Sequence, residues 1–124
     1  MTLRVLAIGD IGNILQTLQK YTKAEIHIIN FLKDGAGIFT YGKDIETFSN
    51  YKVKDHLKKI NRIAKDYDIC ITMGTGERIA YLADLNYSVF YVGRDIDAPR
   101  FIKNSKEEWF DEPLHTLNFL ERWF

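Results

Sequence analysis

The chain has 124 residues, enough for one domain built around one sizeable core. Seventeen Lys and Arg balance seventeen Asp and Glu, which removes any global electrostatic argument for nucleic-acid binding. A single cysteine excludes an internal disulfide, and with neither a signal peptide nor an apolar run of membrane-spanning length the expected setting is the cytoplasm.

Taken in order, Leu3-Arg4-Val5-Leu6-Ala7-Ile8 reads as a strand, and Gly9-Asp10-Ile11-Gly12-Asn13 as a turn into a helix. Ile14, Leu15 and Leu18 give that helix an apolar side, and it should end near Lys20-Tyr21-Thr22. Glu25 to Phe31 or Leu32 is the second strand. Lys33 to Asn50 reads as irregular, with turn signals at Asp34-Gly35-Ala36-Gly37 and Tyr41-Gly42-Lys43-Asp44 around Ile38-Phe39-Thr40, a short strand or a folded-over loop. Lys52 to Lys65 is the clearest helix, with Val53, Leu57, Ile60 and Ala64 as its apolar stripe. Tyr67 to Met73 then reads as a strand buried on both faces, where Cys70 is a small core group rather than a nucleophile. Gly74-Thr75-Gly76 stops that strand. Glu77 to Leu85 carries Ile79, Ala80, Leu82, Ala83 and Leu85 at helical spacing, with Thr75 near the cap and Glu77 in the first turn. Tyr87 to Val92 is the next strand and ends at Gly93.

Strand, glycine turn, helix and strand occur twice, at residues 3–31 and 67–92. The expected fold is therefore a single α/β domain, three-layered and Rossmann-like, with a mainly parallel sheet over residues 1–102. After Asp97 the character changes. Trp109, Phe110, Leu114, Leu117, Leu120 and Phe124 put too much apolar area into the last stretch for a free tail, and Pro113 suits the first turn of a helix. Residues 103–124 should therefore pack on the domain or against an absent one.

In a doubly wound sheet the places for chemistry are the carboxyl ends of the strands. Gly12 and Asn13 after the first strand, Gly74, Thr75, Gly76 and Glu77 after the third of the clear strands, and Arg94 and Asp95 after the last are the candidate ligand-binding residues, bordering one crevice. The bland alternatives are a tight turn for Gly9-x-x-Gly12, a cap and first-turn acid for Thr75 and Glu77, and a mutual ion pair for Arg94 and Asp95. Gly9-x-x-Gly12 lacks the third glycine of a dinucleotide fingerprint and the Gly-Lys-Ser/Thr of a phosphate loop. Residues 52–65 hold six Lys and Arg against one Asp, and Lys54, Lys58 and Arg62 align at i,i+4. That line is either a solvated face or a patch for an anionic surface. His27, His56 and His115 have no metal-ligand spacing, so neither a metal nor a bound cofactor is expected. No nucleophile elbow occurs.

The chain resembles the N-terminal Rossmann-like half of a GT-B glycosyltransferase of the large retaining group called family four. The residues that carry the resemblance are Gly9-Asp10-Ile11-Gly12-Asn13, Asp66-Tyr67-Asp68-Ile69-Cys70-Ile71 leading into Gly74, Tyr81-Leu82-Ala83, and Val89-Phe90-Tyr91-Val92-Gly93-Arg94-Asp95-Ile96. It implies an acceptor-side domain of an enzyme that moves a sugar from a nucleotide-sugar donor with retention. A histidine common at the exit of the late strand is replaced here by Gly93-Arg94. The partner implied is a second, C-terminal Rossmann-like domain that holds the donor, for which 124 residues leave no room. This chain alone should then be inactive, with a glycan or lipid-linked acceptor and contact with the cytoplasmic face of a membrane as the further expectations. The competing class is a free-standing flavodoxin-like binding or protein-interaction module. A receiver domain is disfavoured because Asp10 stands alone after the first strand and Thr72-Met73 supplies no phosphoacceptor.

Overall fold

A computed structural model of the protein describes residues 1–9, 14–31, 44–49, 52–74 and 76–90. Strand β1 (Arg4–Ile8) leads to helix α1 (Ile14–Tyr21) and strand β2 (Glu25–Phe31), followed by β3 (Ile45–Phe48), α2 (Val53–Ala64), β4 (Ile69–Thr72), α3 (Gly76–Leu82) and β5 (Ser88–Val89). The five strands form one sheet in the order β3-β2-β1-β4-β5, and every pairing is parallel. This is a Rossmann-like α/β domain of three layers. The order reverses at β1, which pairs through Ile8 with Ile29 of β2 and with Thr72 of β4.

Strand β1 is central because its sequence tolerates cover on both faces. Val5, Leu6, Ala7 and Ile8 are all 3% exposed or less, and period-two alternation sends Leu6 and Ile8 to one face and Val5 and Ala7 to the other. Leu6 and Ile8 join Ile29, Phe48, Cys70 and residues of α2 and α3. Val5 and Ala7 join Leu15, Ile26, Ile28 and Met73 beneath α1. Helices α2 and α3 thus lie on one face and α1 on the other, as right-handed crossovers require when the chain first steps outward from β1 and then returns past it.

Helix α2 buries Val53, Leu57 and Ile60 on the expected stripe. It begins at Lys52 in the left-handed region (φ 53°) with no side-chain cap. Helix α3 is closed by paired backbone bonds, Leu85 N–H to the Ala80 carbonyl (3.0 Å) and Asp84 N–H to that of Tyr81 (3.1 Å). Asp84 takes the left-handed position (φ 57°) that glycine usually fills.

Two expectations are corrected. Ile45–Phe48, read as part of an irregular stretch, is a strand that pairs with Ile28–Phe31. Four residues between turn signals gave too short an alternation to register, and the edge of β2 supplies what local pattern lacked. Strand β4 is not buried on both faces, since Ile69 is 45% exposed on the side that α1 covers only farther along the sheet. The expected strand or loop at Ile38-Phe39-Thr40 and the aromatic segment 103–124 lie outside the described residues. Among the described residues, no helix is long and apolar enough to cross a membrane.

Candidate functional site

The carboxyl ends of β1 and β4 meet at the reversal point, and two glycines make that meeting possible. Gly9 has φ +83°, and a Cβ there would run into the Met73 carbonyl oxygen. A Cβ on Gly76 would fall inside the van der Waals envelope of the Ile8 carbonyl oxygen. The β1 exit and the first turn of α3 are therefore packed backbone against backbone. A bond of 2.9 Å from Gly76 N–H to the Met73 carbonyl closes the turn after β4, and Gly74 within it has φ 52°.

Of the expected site residues, Gly74, Gly76 and Glu77 stand together at this edge, all buried. Packing against Ile8 gives Gly76 a structural reason to be glycine. Glu77 is 2% exposed in the first turn of α3 and is engaged by other groups. Gly12, Asn13, Thr75, Arg94 and Asp95 lie outside the described residues.

Beneath the edge are polar groups the sequence reading passed over. Asn30, 3% exposed near the end of β2, has neither its amide nitrogen nor its amide oxygen hydrogen-bonded. Thr72, fully buried as the last residue of β4, has an unpartnered hydroxyl. Nε of Arg78 is in the same condition, although that side chain is engaged elsewhere. Asn30 shares its face with Ile26 and Ile28, the α1 side; Thr72 shares its face with Cys70, the α2 and α3 side. The orphaned atoms thus flank the reversal point from both sides of the sheet. Buried amides without partners are uncommon because each costs about 1–3 kcal/mol. The signal in the sequence was a lone amide in Ile28-Ile29-Asn30-Phe31, where alternation alone calls for an apolar side chain.

The thiol of Cys70 is pushed up to about 12 by burial, which removes it as a nucleophile near neutral pH and agrees with its reading as a core group. Among the described residues, no cluster of three or more His, Cys, Asp or Glu is placed to hold a metal.

The basic line on α2 occupies a different place. Lys54 and Lys58 rim a groove of about 450 Å³ between α2 and the end of α3, with Leu57, Leu82 and Ala83 as its apolar lining and Asp84 at its side. Asn61 ties the two helices by donating to the Ala83 carbonyl at 2.8 Å. Arg62 lies one turn on from Lys58 and is exposed.

No protein-family model, curated protein or solved structure matches the chain. The Rossmann-like fold is established by the sheet itself, and a specific transferase family is not.

Proposed function

We propose that the chain is the acceptor-side half of a two-domain glycosyltransferase, in which a second Rossmann-like domain holds most of the nucleotide-sugar donor. The observation that carries this reading is Asn30, an unpartnered amide buried at the carboxyl edge of β2 beside the reversal point. A primary amide offers both donors and an acceptor, as a sugar hydroxyl does, whereas a diphosphate takes donors only and favours positive charge. The close backbone approach that glycines provide in dinucleotide sites is used here between β1 and α3, within the protein. That favours a neutral, hydroxyl-rich ligand at this edge over a pyrophosphate. The reaction type comes from the resemblance to GT-B enzymes.

In this reading Gly74 and Glu77 form the floor of the acceptor crevice, and Gly12, Asn13, Thr75, Arg94 and Asp95 complete it. Lys54, Lys58 and Arg62 on α2 suit a peripheral contact with an anionic membrane surface carrying a lipid-linked acceptor. Transfer needs the donor carbon held against the acceptor in a closed cleft, so one half alone does not catalyse it.

Calorimetry of the chain against nucleotide sugars and against a panel of oligosaccharide and glycolipid acceptors tests the assignment. The expected result is acceptor binding, weakened at least tenfold by Asn30→Ala, with no tight binding of nucleotide sugars until the second domain is supplied. Sugar transfer by the short chain alone would overturn the reading, as would acceptor binding indifferent to Asn30→Ala. Tight binding of a compact non-sugar ligand would favour a free-standing binding module instead.

A further inference from the structure

The groove of about 450 Å³ between α2 and the end of α3 lies outside the carboxyl-edge crevice and has a chemistry of its own. Its walls are held at a fixed separation by the 2.8 Å bond from Asn61 Nδ2 to the Ala83 carbonyl. The end of α3 closes on itself, with the N–H groups of Ala83, Asp84 and Leu85 donating to the carbonyls of Ile79, Tyr81 and Ala80. Those backbone groups are therefore taken, and the floor offers the apolar side chains of Leu57, Leu82 and Ala83. Charge on the rim is segregated. Lys54 and Lys58, both exposed and one turn apart, stand on the α2 bank. Asp84 and the carboxyl end of α3, the negative end of its dipole, stand on the other. Lys54 and Asn61 mark the two ends of the α2 bank, about 10 Å apart along the helix axis. The complement of this groove is a ligand that is anionic at the Lys54 end and apolar along the rest of that length.

We propose that the α2–α3 groove binds a monomeric, single-chain alkyl phosphate, with its head between Lys54 and Lys58 and its chain over Leu57, Leu82 and Ala83. Size decides against a protein partner. The volume falls within the range of small-ligand sites, roughly 300–1,000 Å³, whereas a stable protein interface engages about 20–30 residues a side and only seven line this groove. Shape decides against a bilayer surface as the occupant, because a flat array of headgroups meets the lysine tips and leaves the concave apolar floor unfilled. Two lysines suit the two negative charges of a phosphate monoester and give it charge-assisted hydrogen bonds. Exposed cations alone contribute little, so selectivity comes from their combination with the apolar floor. Arg62, one turn beyond Lys58, is outside the lining, which separates this site from the basic face of α2 as a whole. The inference goes beyond the glycosyltransferase reading and does not rest on it.

The test is a magnetic-resonance titration of the full chain, labelled at its leucine and alanine methyls, with octyl phosphate below its micelle-forming concentration. Inorganic phosphate and 1-octanol are the controls for head and chain alone. Octyl phosphate is expected to shift the methyls of Leu57, Leu82 and Ala83 saturably and to bind about tenfold tighter than either control. Lys54→Glu and Lys58→Glu should each weaken it about tenfold, and Arg62→Glu, which changes net charge equally, about twofold at most. All three positions are exposed, so the amide spectrum should stay dispersed in each variant. Asn30→Ala should leave the affinity untouched, so this site and the acceptor crevice stand or fall separately. Either control binding as tightly as octyl phosphate would overturn the proposal, as would equal losses for Lys58→Glu and Arg62→Glu, the mark of a diffuse basic face. So would vesicles of pure phosphatidylserine that bind the chain while octyl phosphate leaves the three methyls unmoved, since the contact would then be with a bilayer surface alone.

Discussion

The two edges of the sheet carry polar side chains of similar kinds and treat them in opposite ways. At the amino edge Arg4 gathers its neighbours into contacts. Arg4 exchanges 2.8 Å bonds with Asp68 through its backbone N–H and carbonyl, donates from Nη1 to the Asp66 carbonyl, and sits 5.0 Å from the ring centroid of Tyr67. Farther along the α2 side, His27 stacks on Tyr67 and lies 3.3 Å from Glu46, which stands level with Ile29 and accepts from Lys59 at 3.3 Å. At the carboxyl edge, Asn30 and Thr72 are more deeply buried yet have unpartnered polar atoms. Desolvation is costlier there, so the difference runs against stability. Groups kept in that condition at the reversal point of a doubly wound sheet are what the proposed ligand site rests on.

The largest effect should come from closing the carboxyl edge sterically. Gly76→Ala puts a methyl group onto the Ile8 carbonyl, backbone that cannot give way, and should destabilise the fold by about 3–5 kcal/mol in urea unfolding. A loss under about 1 kcal/mol would mean that the two glycine backbones are not in contact.

Next is alkaline pH, which separates the core strand from both edges. The Cys70 thiol stands at about 12 when folded against an ordinary 9.0, so the unfolded chain releases its proton first. The stability associated with the neutral thiol is fully present below pH 9 and is lost as pH climbs from there towards 12, at about 1.4 kcal/mol for each unit of difference. Tyr67 is also raised above 10.0, chiefly by burial, and adds a loss of the same sign. Unfolding curves across this range should show Cys70→Ala progressively less sensitive than the parent; identical slopes would contradict a protonated buried thiol.

The smallest effects are the most telling. Asn30→Leu should leave stability unchanged or raise it by about 1 kcal/mol while abolishing acceptor binding, because it removes an unpaired amide. Glu46→Gln should cost no more than about 0.5–1 kcal/mol, since its carboxylate and Lys59 are both substantially exposed, and the loss should shrink with added salt. Opposite signs for these two substitutions in one denaturation series would uphold the contrast between partnered and unpartnered polar groups; equal losses would dissolve it.

Much of the fold was legible because strong local patterns agreed with the tertiary outcome. Glu25–Phe31 and the body of α2 follow from alternation and from an apolar stripe at helical spacing. Strand β3 was not legible, since Ile45–Phe48 owes its state to the neighbouring edge of β2 rather than to its own four residues. Of the candidate site, the sequence showed glycines at strand exits, but which of them serve packing emerged only when Gly76 was seen against Ile8. Asn30 was overlooked because a polar residue in a strand is ordinarily a solvent-facing one, and only burial on both sides of the sheet turns it into an anomaly.

The placement of β1 at the centre has a consequence for how the protein is made. Strand β1 leaves the ribosome before either of the partners it needs on its two sides, and the second of them, β4, lies some sixty residues farther along. At about 5–20 residues per second, β1 and β2 wait several seconds with one backbone edge unpaired. During that interval Val5, Leu6 and Ile8 form an apolar strand with an open edge, the kind of template other nascent chains can join. A pause in translation before β4 would therefore prolong the dangerous interval rather than aid folding.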